Sequence, residues 1–371
     1  MKALILSANA GQGHNSCAEA IREVFAAHGD VCVIEDTFGL LSKKLSRAIS
    51  NNHEKTYRNK PRQNAIQYRF LQNHPELFTR RKLIFQVMSL GSRQVTRCVR
   101  EGGYDVVICT HALAGMMLTA SILRHSLSIH SAFVATDYSC SPGVSGMQLD
   151  RYFIPHASIT QEFEAVGIPA KSLVVTGIPV RQAFTPTEEK ADARQAFGIL
   201  PQSRHLLLMC GSMGCGPIPD LLHAIAGRIP QGWEISVVCG TNTDLRLSLL
   251  NEHGGNPALH IHGYVKDMPR LLHSADLYLT KPGGLSTAES VAAAVPMVLV
   301  DAVAGCEASN LQHFVQLGAA VTGDTTQEVA DACLALMQNP DRLNRMTQLL
   351  QNHHAASAAE QIWQEMNRLS V

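Results

Sequence analysis

What this 371-residue chain lacks already narrows what it does. It has no C-x-x-C pair, and its ten cysteines stand singly in apolar or turn settings, among them Cys17, Cys32, Cys109 and Cys239. With no secretory signal ahead of them, reduced, buried thiols in a cytosolic protein are expected in preference to a disulfide framework. The longest run without charge, Val106 to Leu123, is interrupted by Thr110, His111 and Gly115 and reads as a strand followed by a helix, not a membrane span. No D-x-D pair occurs, so a metal-bridged diphosphate is not expected. The seventeen histidines are scattered without metal-ligand spacing, and there is neither an internal repeat nor a low-complexity tract. What remains, 46% hydrophobic and 17% charged, is the composition of a globular enzyme long enough for two domains.

The formal net charge of zero conceals a dipole. Residues 1–100 hold sixteen Lys/Arg against seven Asp/Glu, and residues 101–371 reverse that balance. The excess concentrates in residues 41–100, where fourteen basic side chains, from Lys43 through Arg80, Arg81 and Lys82 to Arg100, meet only Glu54 and Glu76. Tyr57, Tyr68, Phe70, Phe78 and Phe85 are interleaved there with Leu77, Ile84, Val87, Met88, Val95 and Val99 near helical spacing. Such a segment could lie on an anionic membrane, track nucleic-acid phosphates, or pack its stripe on its own domain with the charges solvated.

Strands and helices alternate along the chain. Lys2–Ser7, Val31–Ile34, Asp105–Cys109, Ser131–Thr136, Arg151–Ile154 and Leu173–Val175 read as strands of the first half. A break follows, from Gly177-Ile178-Pro179 to Thr185-Pro186. The alternation then restarts with His205–Met209, Glu234–Val238, Leu259–His262, Asp276–Leu279 and Met297–Val300. Near-continuous apolar runs of this kind suit parallel sheets buried on both faces. The expected fold is α/β, two doubly wound Rossmann-like domains facing a cleft. The domains are expected at 1–180, carrying the basic insertion 41–100, and at 186–345. A last helical stretch, 346–371, is expected to cross back to the first domain.

Two glycine-marked segments carry the chemistry. Gly11-Gln12-Gly13-His14 lies between a strand and a helix, but Ser16 occupies the third glycine position of a dinucleotide fingerprint. His14 would stand at the helix N-terminus, where the dipole lowers imidazole basicity and suits a general base; a structural histidine is the alternative. Asp137, in Thr136-Asp137-Tyr138 after an apolar strand, could orient His14, take a proton itself, or cap a turn. Thr110-His111 ends another strand and is a weaker candidate for the same rim. In the second half, Cys210 to Pro217 includes Gly211, Ser212, Met213 and Gly214 and forms a phosphate or sugar cradle. Lys281 to Glu289 is the most specific segment. Gly283 and Gly284 admit a diphosphate, Ser286 and Thr287 can add hydroxyl donors, and Glu289 can accept both hydroxyls of a ribose. Glu307, Asn310 and Gln312 could line the sugar.

Taken together, Gly11–Ala20, Val134–Tyr138, Val175–Val180, Gly211–Gly214, Gly263-Tyr264 with Met268, Asp276–Glu289 and Cys306-Glu307 to Asn310 resemble an inverting, family 28-like glycosyltransferase family of GT-B fold. It contains the plant monogalactosyldiacylglycerol synthases and the bacterial processive diacylglycerol glucosyltransferases. The resemblance implies that the first half serves a lipid acceptor and the second half a UDP-sugar. It implies acceptor binding or base catalysis at His14, the diphosphate loop at Ser212, Met213 and Gly214, and the phosphate turn at Gly283, Gly284, Leu285 and Ser286. Glu289 would hold the ribose, and Glu307 and Asn310 the sugar. It also favours the membrane for segment 41–100, with no nucleic-acid partner. Two departures stand out: Gly305-Cys306-Glu307 replaces the family's Gly-Gln-Glu, and Ser139–Val144 follows Asp137 in place of an aromatic or histidine contact.

The expected activity is transfer of a hexose, with inversion, from a UDP-sugar to a lipid such as diacylglycerol or a glycosyl-diacylglycerol. The enzyme would sit peripherally on the inner face of the cell membrane, with no cofactor or metal and with helix dipoles stabilising the departing UDP. The alternatives are a UDP-N-acetylglucosamine 2-epimerase and a UDP-sugar sensor without catalysis.

Overall fold

A computed structural model describes residues 1–9, 12–44, 46–47, 61–300, 305–353 and 357–370. The chain divides into two units. One runs from Met1 to Arg181 and takes in Gly305, Cys306 and the C-terminal helix Ala358–Ser370; the other runs from Gln182 and takes in the chain from Glu307 through the helix Pro340–His353.

The first unit is built on six parallel strands: β1 (Lys2–Ser7), β2 (Val31–Asp36), β3 (Val106–Cys109), β4 (His130–Val134), β5 (Arg151–Ile154) and β6 (Leu173–Val175). Their order in the sheet is β2-β1-β3-β4-β5-β6. Ala3 to Leu6 and Val106 to Cys109 are fully buried, as strands covered by helices on both faces must be. The helix Gln12–Ala27 returns over the sheet on Cys17, Ala18, Ile21 and Phe25, all buried. The C-terminal helix packs on this same unit through Ala359, Ile362 and Met366. Its Trp363 stacks on His28 with centroids 3.5 Å apart and donates from Nε1 to Asp30 Oδ2 at 2.7 Å.

The second unit repeats the plan with β7 (Arg204–Met209), β8 (Trp233–Val238), β9 (Leu259–His262), β10 (Leu277–Thr280), β11 (Met297–Leu299) and β12 (Ala320–Val321). Their order is β12-β11-β10-β7-β8-β9, again all parallel. In each sheet the winding direction reverses once, between β1 and β3 in the first and between β7 and β10 in the second. A crevice opens at the carboxyl ends of the strands at such a reversal, because the flanking loops leave in opposite directions. Each of these places positions the candidate residues of its own unit.

All eleven strands read from the sequence are present, with ends shifted by one or two residues. β12 is an addition, too short at two residues to leave a pattern. The expected single helical stretch at the C-terminus is two helices, Pro340–His353 and Ala358–Ser370.

Candidate active site

At the first reversal, β1 is followed by the helix from Gln12 and β3 by Thr110 and His111. Gly11 lies outside the described residues; Gly13 and His14 sit in the first turn of the helix. The approach to that turn is tied down by side chains. Ser7 Oγ donates to Asn15 Oδ1 at 2.6 Å, Asn15 Nδ2 to Asn9 Oδ1 at 2.8 Å, and the amide of Asn9 to Asp36 Oδ1 at 3.3 Å. Thr37 Oγ1 donates to the Ser7 carbonyl at 2.6 Å.

His14, half-buried, places Nδ1 2.6 Å from the carbonyl oxygen of Thr110. A carbonyl only accepts, so Nδ1 carries the proton and Nε2 of the neutral ring carries the lone pair. His111 has the opposite assignment. Its Nδ1 accepts from the amide of Leu113 at 3.1 Å as the N-cap of the helix Ala112–His125, which leaves Nε2 protonated when the ring is neutral. The two rings meet edge to face at 4.8 Å. Beside them the buried hydroxyl of Thr110 has no hydrogen-bond partner among the described residues.

Asp137 follows β4, one strand beyond β3, and is half-buried, with Thr136 Oγ1 3.5 Å from its carboxylate. Burial holds the phenol of the adjacent Tyr138 neutral by pushing it well above its ordinary range. Tyr68 also belongs to this neighbourhood, and the sequence reading gave it no role. Its phenol hydrogen-bonds to the side chains of Ser141 and Cys306. Burial first, then Cys306 and the charge of Asp137, push it far above the usual tyrosine range. The fit is close enough that a Cβ on Gly305, at φ +104°, would lie 2.2 Å from the Tyr68 ring.

At the second reversal, three loops converge beyond β7, β8 and β10. The loop after β7 and the loop after β8 are packed backbone to backbone: a Cβ on Gly214 would lie 2.1 Å from the Cys239 carbonyl oxygen, and one on Gly240 2.0 Å from that of Ser212. Thr241 N donates to the Ser212 carbonyl at 3.0 Å and Asn242 Nδ2 to that of Gly214 at 3.2 Å. Ser212 and Met213 remain half-exposed at the top of this turn. From β10, Lys281 runs beneath it, buried, with Cε 3.0 Å from where a Cβ on Gly216 would stand. Lys281 is thus a cation set between two glycine turns, and the sequence reading assigned it no task.

The helix Gly284–Ala292 begins at Gly283 without a side-chain cap, leaving its first amides for a ligand. Its exposure follows a three-residue step. Gly283, Ser286 and Glu289 are half-open, whereas Gly284, Leu285, Thr287, Ala288 and Ser290 are buried. A Cβ on Gly283 would meet nothing nearer than Ser286 Oγ at 4.0 Å, so the space over the turn is open. Leu285 therefore offers its backbone and not its side chain.

Two expected ligand contacts are corrected here. Thr287 is fully buried and its hydroxyl turns back onto the carbonyls of Gly283 and Gly284, at 3.1 and 2.9 Å. Asn310 is fully buried and its Nδ2 donates to the Pro282 carbonyl at 2.9 Å. Both brace the turn from behind, and neither side chain faces the open space over it. Glu307, in the first turn of the helix Cys306–Leu317, is 7% exposed.

A profile of the Monogalactosyldiacylglycerol (MGDG) synthase family matches residues 14–180, and a profile of Glycosyl transferases group 1 matches residues 204–339. The processive diacylglycerol beta-glucosyltransferase of Bacillus mycoides (strain KBAB4) is 26% identical over 364 residues, 97% of this chain and 92% of that protein. The protein of the same name from Bacillus cereus (strain AH187) is 27% identical over 365 residues, with the same coverage. The chain is a glycosyltransferase similar to the MGDG synthases and the processive diacylglycerol glucosyltransferases. The MGDG synthase match begins on His14 itself and runs through Asp137, and the second match spans every residue from Ser212 to Asn310.

Among solved structures, that of Acinetobacter baumannii MurG superposes with a TM-score of 0.63 at 17% identity over 99% of both chains. The UDP-GlcNAc 2-epimerase of Neisseria meningitidis, bound to UDP-GlcNAc, gives 0.65 at 15% identity, covering 99% of this chain and all of that one. Anabaena Alr3699/HepE in complex with UDP gives 0.61 at 14%, with the same coverage. At such identities the likeness concerns the fold alone, and it establishes two Rossmann-like domains of GT-B type. The epimerase and the transferases share it equally, so fold does not separate them.

In this MGDG synthase relative, segment 41–100 is partly core and partly surface. Phe78, Phe85, Val95 and Val99 are buried. Ile66, Phe70, Leu83, Val87, Met88 and Leu90 are exposed, six of the thirteen large exposed hydrophobics among the described residues. Tyr57 lies outside the described residues. No described helix is long and apolar enough to cross a membrane.

Proposed function

We propose that this glycosyltransferase moves a hexosyl group from a UDP-sugar to the hydroxyl of a membrane lipid, diacylglycerol or a glycosyl-diacylglycerol, with inversion at the anomeric carbon. The observation that carries the reading is the family match beginning on His14, a residue whose tautomer suits a base. As the lipid oxygen attacks C1 of the sugar, Nε2 of His14 takes the hydroxyl proton and the C1–O bond to the diphosphate breaks. Asp137, just after β4, stabilises the imidazolium or takes the proton in its place. UDP departs onto the uncapped helix at Gly283 and Gly284, with the Gly211–Gly214 turn and the Lys281 ammonium adding to the positive field. Ser286 supplies a hydroxyl donor, and Glu289 accepts the ribose hydroxyls. This set of donors meets the diphosphate charge without a divalent cation.

The acceptor is a lipid, so the enzyme must work at a bilayer. Fourteen basic residues against two acidic ones in 41–100, together with Leu83, Val87 and Leu90 on the surface, support docking of this segment on an anionic leaflet. A UDP-sugar donor and ten cysteines held as thiols favour the inner face.

Incubation with a panel of labelled UDP-hexoses and mixed vesicles containing diacylglycerol tests the reading. One donor is expected to give a labelled glycolipid. Conversion of a UDP-sugar to its epimer without lipid product would assign the chain to the epimerases, and UDP-sugar binding with no chemistry would make it a sensor.

A further inference from the structure

The helix Ser92–Gly102 buries Ser92, Val95, Thr96 and Val99 on one side. Arg93, Arg97 and Arg100 project from the other at i, i+4 and i+7, a single stripe of like charge. Repulsion along such a stripe destabilises a helix. Arg93 adds to the cost by standing in the first turn, at the positive end of the dipole, behind a Gly91 that provides no side-chain cap. Among the described residues neither Arg93 nor Arg97 makes a hydrogen bond or ion pair, and Glu101 is the one carboxylate lining the same depression. Arg100 is held otherwise, its Nη2 donating to the carbonyl of His125 at 2.8 Å.

These side chains rim a shallow, open depression. Arg93, Thr96, Arg97, Arg100, Glu101 and His125 line a concavity of about 410 Å³. One wall is fixed by Ser92 Oγ against His125 Nε2 at 3.1 Å, and Ser121 Oγ ties the two helices by donating to the Ser92 carbonyl at 2.8 Å. Three guanidinium groups outnumber the one carboxylate. The exposed apolar residues Val87 and Leu90 immediately precede the stripe, and Arg124, on the helix Ala112–His125, ties the preceding helix Leu83–Met88 by donating to Gln86 Oε1 at 2.6 Å.

We propose that this concavity is a binding site for a phosphate ester, separate from the UDP-sugar turn, and that its occupant is the headgroup phosphate of an anionic lipid in the membrane on which the enzyme docks. The lipid source rests on the membrane reading above; the phosphate site does not. Arg93 and Arg97 supply two planar forks for the phosphate oxygens, and Arg100 a third held in place by the carbonyl of His125.

The test uses the charge-preserving double variant Arg93→Lys/Arg97→Lys, which keeps the diffuse positive field and removes the forks. Sedimentation with phosphatidylcholine vesicles doped with phosphatidylglycerol is compared with calorimetric titration by inorganic phosphate. Loss of paired charge-assisted hydrogen bonds predicts about tenfold weaker vesicle binding by the variant. The control Lys43→Gln/Lys44→Gln, which removes two charges from the same segment, should lose only the general attraction, about fivefold per charge. Vesicle affinity of the lysine variant equal to the wild type, with no saturable heat from phosphate in either protein, overturns the site. Phosphate heat in the wild type but not in the variant, with equal vesicle binding, retains the site and assigns it a soluble phosphate ester. Failure of the wild type itself to bind doped vesicles overturns the membrane reading and the lipid source together.

Discussion

The imidazole of His14 and the carbonyl of Thr110 are locked at 2.6 Å through Nδ1, across the two strands where the first sheet reverses its winding. The carbonyl does for His14 what a carboxylate does in a catalytic triad: it selects the tautomer and fixes the ring plane. Replacement of His14 by Ala is expected to lower kcat about 100- to 10,000-fold, the usual share of a general base, and to leave UDP affinity unchanged. A kcat within a factor of a few of the wild type would move the base to Asp137.

Glu289 is the one carboxylate on the half-open face of its helix, with Gly283 and Ser286. Its replacement by Ala should weaken UDP binding by about 1.5 kcal/mol or more in calorimetry, the loss of a charged hydrogen-bond partner. Unchanged affinity would remove the ribose from this position.

Gly214 and Gly283 both belong to turns read as phosphate cradles, but the structure separates their roles. At Gly214, φ is +59° and a Cβ would strike the Cys239 carbonyl oxygen, so Gly214→Ala should lower stability by about 2 kcal/mol or more. At Gly283, φ is −70° and the Cβ position is open, so Gly283→Ala should melt with the wild type. Its methyl group would occupy the space given to the diphosphate, and UDP affinity should fall about tenfold. Equal melting temperatures for all three proteins would contradict the packing described for Gly214.

The second unit carries a pH dependence of its own. His205, buried on β7, and His262, half-buried on β9 at the far side of β8, are both depressed by desolvation, His262 to about 4 with help from His260 and Arg246. The unfolded chain then binds more protons than the folded one between pH 4 and the ordinary value of 6.5. Stability is therefore full above pH 6.5 and falls as acid is added, with His262 accounting for about 2 kcal/mol by pH 4. Thermal melts should show a lower Tm at pH 5 than at pH 7, and a smaller drop in His262→Gln. A Tm that rises on acidification would reverse the sign.

Tyr68 offers a comparison of a different kind. Tyr68→Phe keeps the ring against Gly305 and removes the hydroxyl from Ser141 and Cys306. It should retain the wild-type fold by circular dichroism and weaken transfer to lipid severalfold, on the order of one lost hydrogen bond. Tyr68→Ala should also lose stability. Identical kinetics in Tyr68→Phe would make the residue a packing element only.

The strands were legible because a parallel strand covered on both faces must be apolar throughout, and Ala3–Leu6 and Val106–Cys109 leave no other reading. His14, Gly283, Ser286 and Glu289 were legible because the strand-to-helix junction fixes where they stand. Thr287 and Asn310 were misassigned for one reason: sequence shows that a polar group is present, but which carbonyl it meets is decided by tertiary packing. Lys281 and Tyr68 were passed over for the converse reason. Their partners, Gly216 and Cys306, lie far along the chain, and Tyr68 was hidden in an amphipathic stripe of like residues. The arginine stripe was visible as charge, but the wall supplied by His125 was not.

The anomeric configuration of the lipid product formed from a UDP-α-hexose bears most directly on the central claim, that a lipid hydroxyl activated at His14 displaces UDP in one step. Proton coupling at the anomeric carbon of the purified glycolipid should report a β-glycoside. An α-glycoside would require two displacements or front-side attack, and would contradict the account.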